Sequence, residues 1–269
     1  MKLFRKPASD EAGQFDGLSL RHAWTALLDL AMPRLCIVCE RPLSLREDFI
    51  CLPCLCELPL THFWERTHNP MADKFNEKIQ QSLFPNGKEP GAFEPYAYAA
   101  GLFFYNSESA YRRIPWQLKY RGDIAAGKYF SRMLGSYLAQ SQHLADVDVI
   151  IPVPLHWTRR MRRGYNQAEV IAQGIAEAFA TSPEVRTDIL RRSRRTRTQT
   201  RLSLEGKQRN VQGAFAARPR CTPLPKHILL VDDTFTTGAT LNACRQALRS
   251  VFPEQVRISV ATLAVVRRS

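Results

Sequence analysis

No stretch of the chain approaches the roughly 18 consecutive apolar residues that a membrane-spanning helix needs, so no span is expected. The basic opening Met-Lys-Leu-Phe-Arg-Lys-Pro has no apolar region behind it. That argues against a secretory leader and for a cytoplasmic protein. No glycine-rich loop carries a Walker A lysine, and no Gly-x-Gly-x-x-Gly spacing occurs, which disfavours ATPases and dinucleotide-binding folds. No internal repeat is visible, and no histidine or glutamate stands out as a general base.

What is present is an ordinary globular composition, 45% hydrophobic and 23% charged, sufficient for a full core. The net charge is +13, and it is unevenly spread. Between His156 and Arg220 there are 15 Lys plus Arg against 5 Asp plus Glu, a local net of +10. Such a stretch suits an anionic partner, either a polyphosphate or a nucleic acid backbone. A solubilising surface accounts for it equally well. Arg191–Arg201 holds six Arg in eleven residues and reads as a charge run or a loop that orders on an anion.

Leu20, Trp24, Leu27, Leu28 and Ala31 share one helical face, which Pro33 ends. The spacing predicts a module over 1–60, a linker with some helix over 61–92, and an α/β domain over 93–269. In that domain strands are predicted within Tyr96–Tyr105, Val147–Pro152, Ile228–Val231 and Val256–Val266. Helices are predicted over Gly127–Gln140, Asn166–Ala180 and Ala239–Val251. Alternating strands and helices imply a mainly parallel sheet flanked by helices.

The most informative segment is Ile228–Leu241. Four apolar residues make a buried strand, followed by Asp232 and Asp233. Thr236, Thr237, Gly238, Ala239 and Thr240 then open a helix. Ligands bind beyond the carboxyl ends of strands in open α/β sheets, and a helix N-terminus offers free N–H groups to a phosphate. The acids suit sugar hydroxyls, directly or through a divalent metal. A plain strand–turn–helix accounts for one Asp and one Thr, but not for two Asp, three Thr and a Gly together.

A second anion site is expected where Val153, Pro154 and Leu155 leave a strand and an Arg-dense segment from Arg159 leads into a helix. For Arg159 and Arg160 an ordinary surface role is expected, and Asn166 is a candidate N-cap. The segment Arg195–Phe215 is polar and basic until Val211, which suits a mobile hood over a polyphosphate.

Cys36-x-x-Cys39 and Cys51-x-x-Cys54 are separated by eleven residues, a pattern that fits tetrahedral zinc. Cys54, rather than Cys56, keeps the x-x spacing. Cys221 and Cys244 are expected in the core. His62 and His68 read as surface or packing residues, and Trp64, Trp116 and Trp157 as packing residues before stacking platforms.

The Asp232–Thr240 loop resembles the phosphoribosyl-pyrophosphate (PRPP) signature of type I phosphoribosyltransferases. The wider set resembles the ComF/GntX family of phosphoribosyltransferase-like proteins. It comprises Leu118–Asp123, Val153–Leu155, Arg163–Gln167, Thr196–Gln199, Arg209–Val211 and the Asp232-Asp233 loop, so it covers nearly the whole chain. The resemblance implies a type I phosphoribosyltransferase-like fold behind a four-cysteine zinc ribbon. It implies that the turn Thr236–Thr240 holds the 5′-phosphate and that Asp232 and Asp233 face the ribose hydroxyls. It assigns Lys119, Val153, Pro154, Leu155, Arg163 and Arg209 to pyrophosphate, with Mg2+ accompanying PRPP. It also implies a link to DNA uptake during competence, with single-stranded DNA as an alternative partner through the ribbon and the basic surface.

Overall fold

The computed structural model describes residues 33–84, 94–192, 213–218 and 223–267. The chain divides into two compact units, Met1–Glu57 and Leu58–Ser269. The helix expected before Pro33 lies outside the described residues.

In the smaller unit the first Cys-x-x-Cys forms a tight turn. Glu40 N–H donates to the Cys36 carbonyl at 2.9 Å, and Cys36 N–H donates to the Arg41 carbonyl at 2.8 Å. Cys51 is the N-cap of helix α1 (Leu52–Cys56), which carries Cys54 and has a proline in its first turn. Among its described residues Ile37, Val38, Leu43 and Ile50 are buried along with Cys36, Cys51 and Cys54. A core this small does not hold a fold on apolar burial alone.

The larger unit begins with a segment that runs beside the first strand: Thr61 N–H donates to the Leu102 carbonyl, and Phe104 N–H to that of Pro59. Helix α2 (Pro70–Leu83) follows, with Asn69 as its cap and proline at its first position. The Asn69 side chain accepts from Met71 and Ala72 N–H and donates to the Ala99 carbonyl, so cap and sheet are tied by one buried residue. Met71, Ala72, Phe75 and Ile79 face inward. Sequence alone makes 61–92 a linker with some helix. Over its described part, 61–84, the helix is capped and amphipathic and lies within the larger unit, where its apolar stripe has a sheet to bury against.

The remaining elements, in order, are β1 (Ala99–Tyr105), α3 (Arg113–Trp116), a π-helical turn (Gln117–Arg121), α4 (Ile124–Ala139), β2 (Val149–Pro152), α5 (Trp157–Arg163) and α6 (Gln167–Ala176). They continue with β3 (Glu184–Val185), β4 (Leu190–Arg192), β5 (Phe215–Ala217), β6 (His227–Phe235), α7 (Ala239–Arg249) and β7 (Arg257–Val266). Five strands form one sheet in the order β1-β7-β6-β2-β3, all pairings parallel. β4 and β5 pair antiparallel. The α/β class, with its mainly parallel sheet, is as the sequence predicts. Near-continuous apolar runs in β6 and β7 are buried on both faces, as parallel strands require.

Helices α4 and α6 pack together closely enough that glycine is needed at the contact. A Cβ on Gly174 would come within 2.6 Å of the Ser131 Cβ. At the strand starts, buried His227 bonds Asp146 through Nδ1 and Ser259 through Nε2, both at 2.7 Å, linking β6 to β7. Among the described residues no helix is long and apolar enough to cross a membrane.

Candidate functional site

Strand β6 runs further than its apolar residues suggest. Its ladder with β7 continues through Asp232 and Thr234 to Phe235, because β7 supplies partners out to Val265. The acids therefore belong to the last paired residues of a strand rather than to the loop after it. The chain then turns at Gly238, whose φ of 72° is a left-handed conformation that favours glycine. A Cβ there would also meet the Phe235 ring at 3.0 Å. Gly238 caps helix α7 without a side-chain bond; Ala239 N–H donates to Thr237 Oγ1 at 3.4 Å, and among the described residues the next N–H groups of the first turn are open to an anion. Lys74 of α2 donates to the Thr236 carbonyl at 3.2 Å.

The π turn brings in a distant cation. Lys119 Nζ is 2.9 Å from Asp233 Oδ1 and 3.3 Å from Thr234 Oγ1. Burial works against the Lys119 charge, but the charge and hydrogen bond of Asp233 outweigh it and hold the ammonium pKa above its usual value. Asp232 behaves oppositely. Burial, then the Asp233 charge, push its carboxyl up to about 7, against the Asp233 N–H, Lys119 and Arg192.

The unfolded Asp232 carboxyl ionises near its ordinary value while the folded one stays protonated to higher pH. Stability contributed by the neutral carboxyl is present at acid pH and is lost as pH rises towards 7. Asp232→Asn is expected to raise the melting temperature of the ligand-free protein by a few degrees at pH 8, and by less at pH 5. Thermal denaturation at the two values checks this. An equal or lower melting temperature at pH 8 would contradict it.

After β2, Val153 extends the ladder by donating to the Val231 carbonyl at 2.8 Å. Asn166 is the N-cap of α6, accepting from Ala168 N–H, and its Nδ2 donates to the Val153 carbonyl. Arg163 Nη1 donates to Gln167 Oε1 at 2.8 Å, while Arg163 Nε and the buried Gln167 Nε2 have no partner among the described residues. The Tyr165 hydroxyl donates to the Leu118 carbonyl, joining this loop to the π turn.

These elements enclose one cavity of about 880 Å³. Of the predicted site residues, Lys119, Val153, Pro154, Leu155, Arg163, Asp232, Asp233, Thr236 and Thr240 line it. Thr237 is buried, and Ala239 begins α7 in the same turn. Arg209 and the segment from Arg195 to Val211 lie outside the described residues. The structure adds Tyr105, Tyr120, Arg159, Arg162 and Arg192 to the lining. Arg192 lies over the Phe215 ring at 5.1 Å, and burial, then the Arg159 charge, lower its pKa. Arg159, expected on an ordinary surface, lines the cavity, whereas Arg160 pairs with Glu169. Among the described residues five cations and two carboxylates thus line the cavity, an arrangement suited to a ligand with several negative charges and vicinal hydroxyls.

In the smaller unit the ligand atoms of Cys36, Cys39, Cys51 and Cys54 all lie within 4.8 Å of one another. The Cys39 and Cys51 sulfurs are 3.6 Å apart, close to the separation of about 3.8 Å that tetrahedral zinc–thiolate bonds impose. Burial opposes thiolate formation at Cys51, but hydrogen bonds from Cys54, Cys36 and Cys39 outweigh it and bring the thiol down to about 7. The four could hold a metal such as zinc. Cys56 is exposed and outside the group. His62 and His68 pair with Glu65 and Asp73. Cys244 is buried, and Cys221 lies outside the described residues. Trp64 is buried and stacked on Tyr137, whereas Trp116 and Trp157 are exposed, so neither packs in this chain's core.

No family model matches the chain. It is 32% identical over 148 residues to Competence protein F of Haemophilus influenzae, covering 53% of this chain and 63%, less than two thirds, of that protein. It is 28% identical over 236 residues to DNA utilization protein YhgH of Escherichia coli, covering 81% of this chain and 92% of that protein. It is 26% identical over 157 residues to Competence protein ComFC of Bacillus subtilis, covering 56% and 57%.

Proposed function

We propose that this chain, similar in sequence to competence and DNA utilization proteins, binds PRPP with Mg2+ and transfers the 5-phosphoribosyl group to a nitrogen nucleophile, releasing pyrophosphate. The names of its relatives support a setting in DNA uptake and use. The observation that carries the proposal is that one cavity gathers an acid pair, a threonine–glycine turn at a helix start, and a cluster of arginines.

In this reading Thr236, Thr240 and the first amides of α7 take the 5′-phosphate. Asp232 and Asp233 accept from the ribose 2′- and 3′-hydroxyls. Two carboxylates at one strand end suit a hard divalent cation, and Mg2+ would supply neutralisation of the diphosphate when bound with PRPP. Arg163, Arg159 and Arg192, with Lys119, supply the positive field against which charge develops on the leaving diphosphate as its bond to C1′ breaks. The nucleophile's nitrogen then bonds to C1′. Arg209 is proposed to join from the hood.

The test is pyrophosphate release from PRPP and Mg2+ across adenine, uracil, nicotinate, glutamine and ammonium. Release with at least one acceptor, and little without any, is the expected result. PRPP that binds but is turned over with none of them would reduce the protein to a binding module.

A further inference from the structure

Two large aromatic rings stand in solvent beside the cavity. Tyr120 lines it yet is 60% exposed, and Trp116 is 44% exposed. Their centroids are 5.9 Å apart, tilted by 43°. Each ring carries a guanidinium: Arg163 lies 5.4 Å from the Tyr120 centroid, and Arg121 lies 5.5 Å from that of Trp116. Rings left in water forgo the stabilisation that burial would give them, so packing does not account for their position.

Local structure does. The turn Gln117–Arg121 is π-helical, an arrangement frequent at functional sites. Leu118 is buried, and its carbonyl is held by the Tyr165 hydroxyl. From that anchor the next two residues both reach the cavity, Lys119 at Asp233 and Tyr120 at the rim. A ring at the rim, next to the acids and backed by cations, matches a flat, electron-rich partner carried towards a phosphorylated sugar.

We propose that Tyr120, with Trp116 beside it, is a stacking shelf for a planar heteroaromatic ring of the acceptor, so that the nucleophilic nitrogen belongs to a base and not to an aliphatic amine. The ring's role as acceptor rests on the transfer proposed above; the stacking stands on the exposed rings alone. A free base and a base within a single strand share this chemistry.

The experiment uses the full metal-loaded chain. Adenine and uracil are titrated by saturation-transfer NMR. A thymidine oligonucleotide and an abasic one of equal length are titrated by fluorescence anisotropy. PRPP with Mg2+ is titrated separately by calorimetry. Tyr120→Ala is expected to weaken base-bearing ligands about tenfold or more, Tyr120→Phe to stay within about twofold, and the abasic strand to be unaffected. An effect confined to the free bases identifies a small acceptor, and one confined to the oligonucleotide identifies a strand. Equal binding of base-bearing ligands to wild type and Tyr120→Ala overturns the shelf, as does failure of every such ligand to bind with PRPP present or absent. Loss of PRPP binding with the Tyr120 effect intact removes the transfer and leaves the shelf.

Discussion

Asp232→Asn/Asp233→Asn is expected to lower PRPP affinity at least a hundredfold while the protein stays folded. A hydrogen bond to a charged acceptor contributes about 1–1.5 kcal/mol more than one to a neutral acceptor, and both acids also lose their attraction for Mg2+, so the loss reaches a factor of roughly 10² or more. Asparagine keeps the shape of both side chains and an oxygen to accept the Asp233 N–H, which now bonds Asp232 Oδ1 at 2.8 Å. What it removes is charge, including the partner of Lys119. Calorimetric affinity measured alongside thermal melting separates the two effects. Unchanged affinity in the double variant would sink the assignment of the acids. A collapsed melting transition would mean that the Lys119–Asp233 pair is needed for folding, and Asp232→Asn alone would then carry the test.

Metal removal should have an effect as large on the smaller unit. Among its described residues the apolar core amounts to a few side chains and four grouped cysteines. Structural zinc supplies about 10–16 kcal/mol of apparent binding free energy in modules of this kind. A strong chelator is therefore expected to release one zinc per chain and to abolish amide protection between Cys36 and Cys54 in hydrogen exchange. Among the described residues, all that line the cavity belong to the larger unit, so PRPP affinity should hold. Elemental analysis that finds no bound metal, or protection that survives chelation, would contradict this.

The parts of the site that come from contiguous residues are legible in the sequence. The β6–turn–α7 segment combines an apolar run, two acids and a threonine–glycine turn, and the cysteine knuckles declare themselves by spacing. Residues brought in by long-range contact are not. Lys119 is selected by the family resemblance, but its pairing with Asp233 depends on a π turn that no propensity signals. Arg192 is hidden in a charge run, because its setting is made by the β4–β5 pair and the Phe215 ring. Arg159 is recoverable in principle: once α5 is a helix, Arg159, Arg162 and Arg163 share one face by i, i+3, i+4 spacing. That face meets the cavity while Trp157 and Met161 remain exposed. Helix α2 carries its own signals, the Asn69-Pro70 start and the buried spacing from Met71 to Ile79, yet neighbouring turn residues give the whole stretch the look of a linker.

The central claim is that the cavity at the end of β6 is a PRPP site. Calorimetric titration of the full chain with PRPP in the presence of Mg2+ tests it most directly, with ribose 5-phosphate and pyrophosphate titrated separately as its two halves. Saturable binding of one PRPP per chain in the micromolar range is expected, with weaker binding of each half in competition with PRPP. Absence of saturable PRPP binding at millimolar ligand, or binding that neither half competes for, would contradict it.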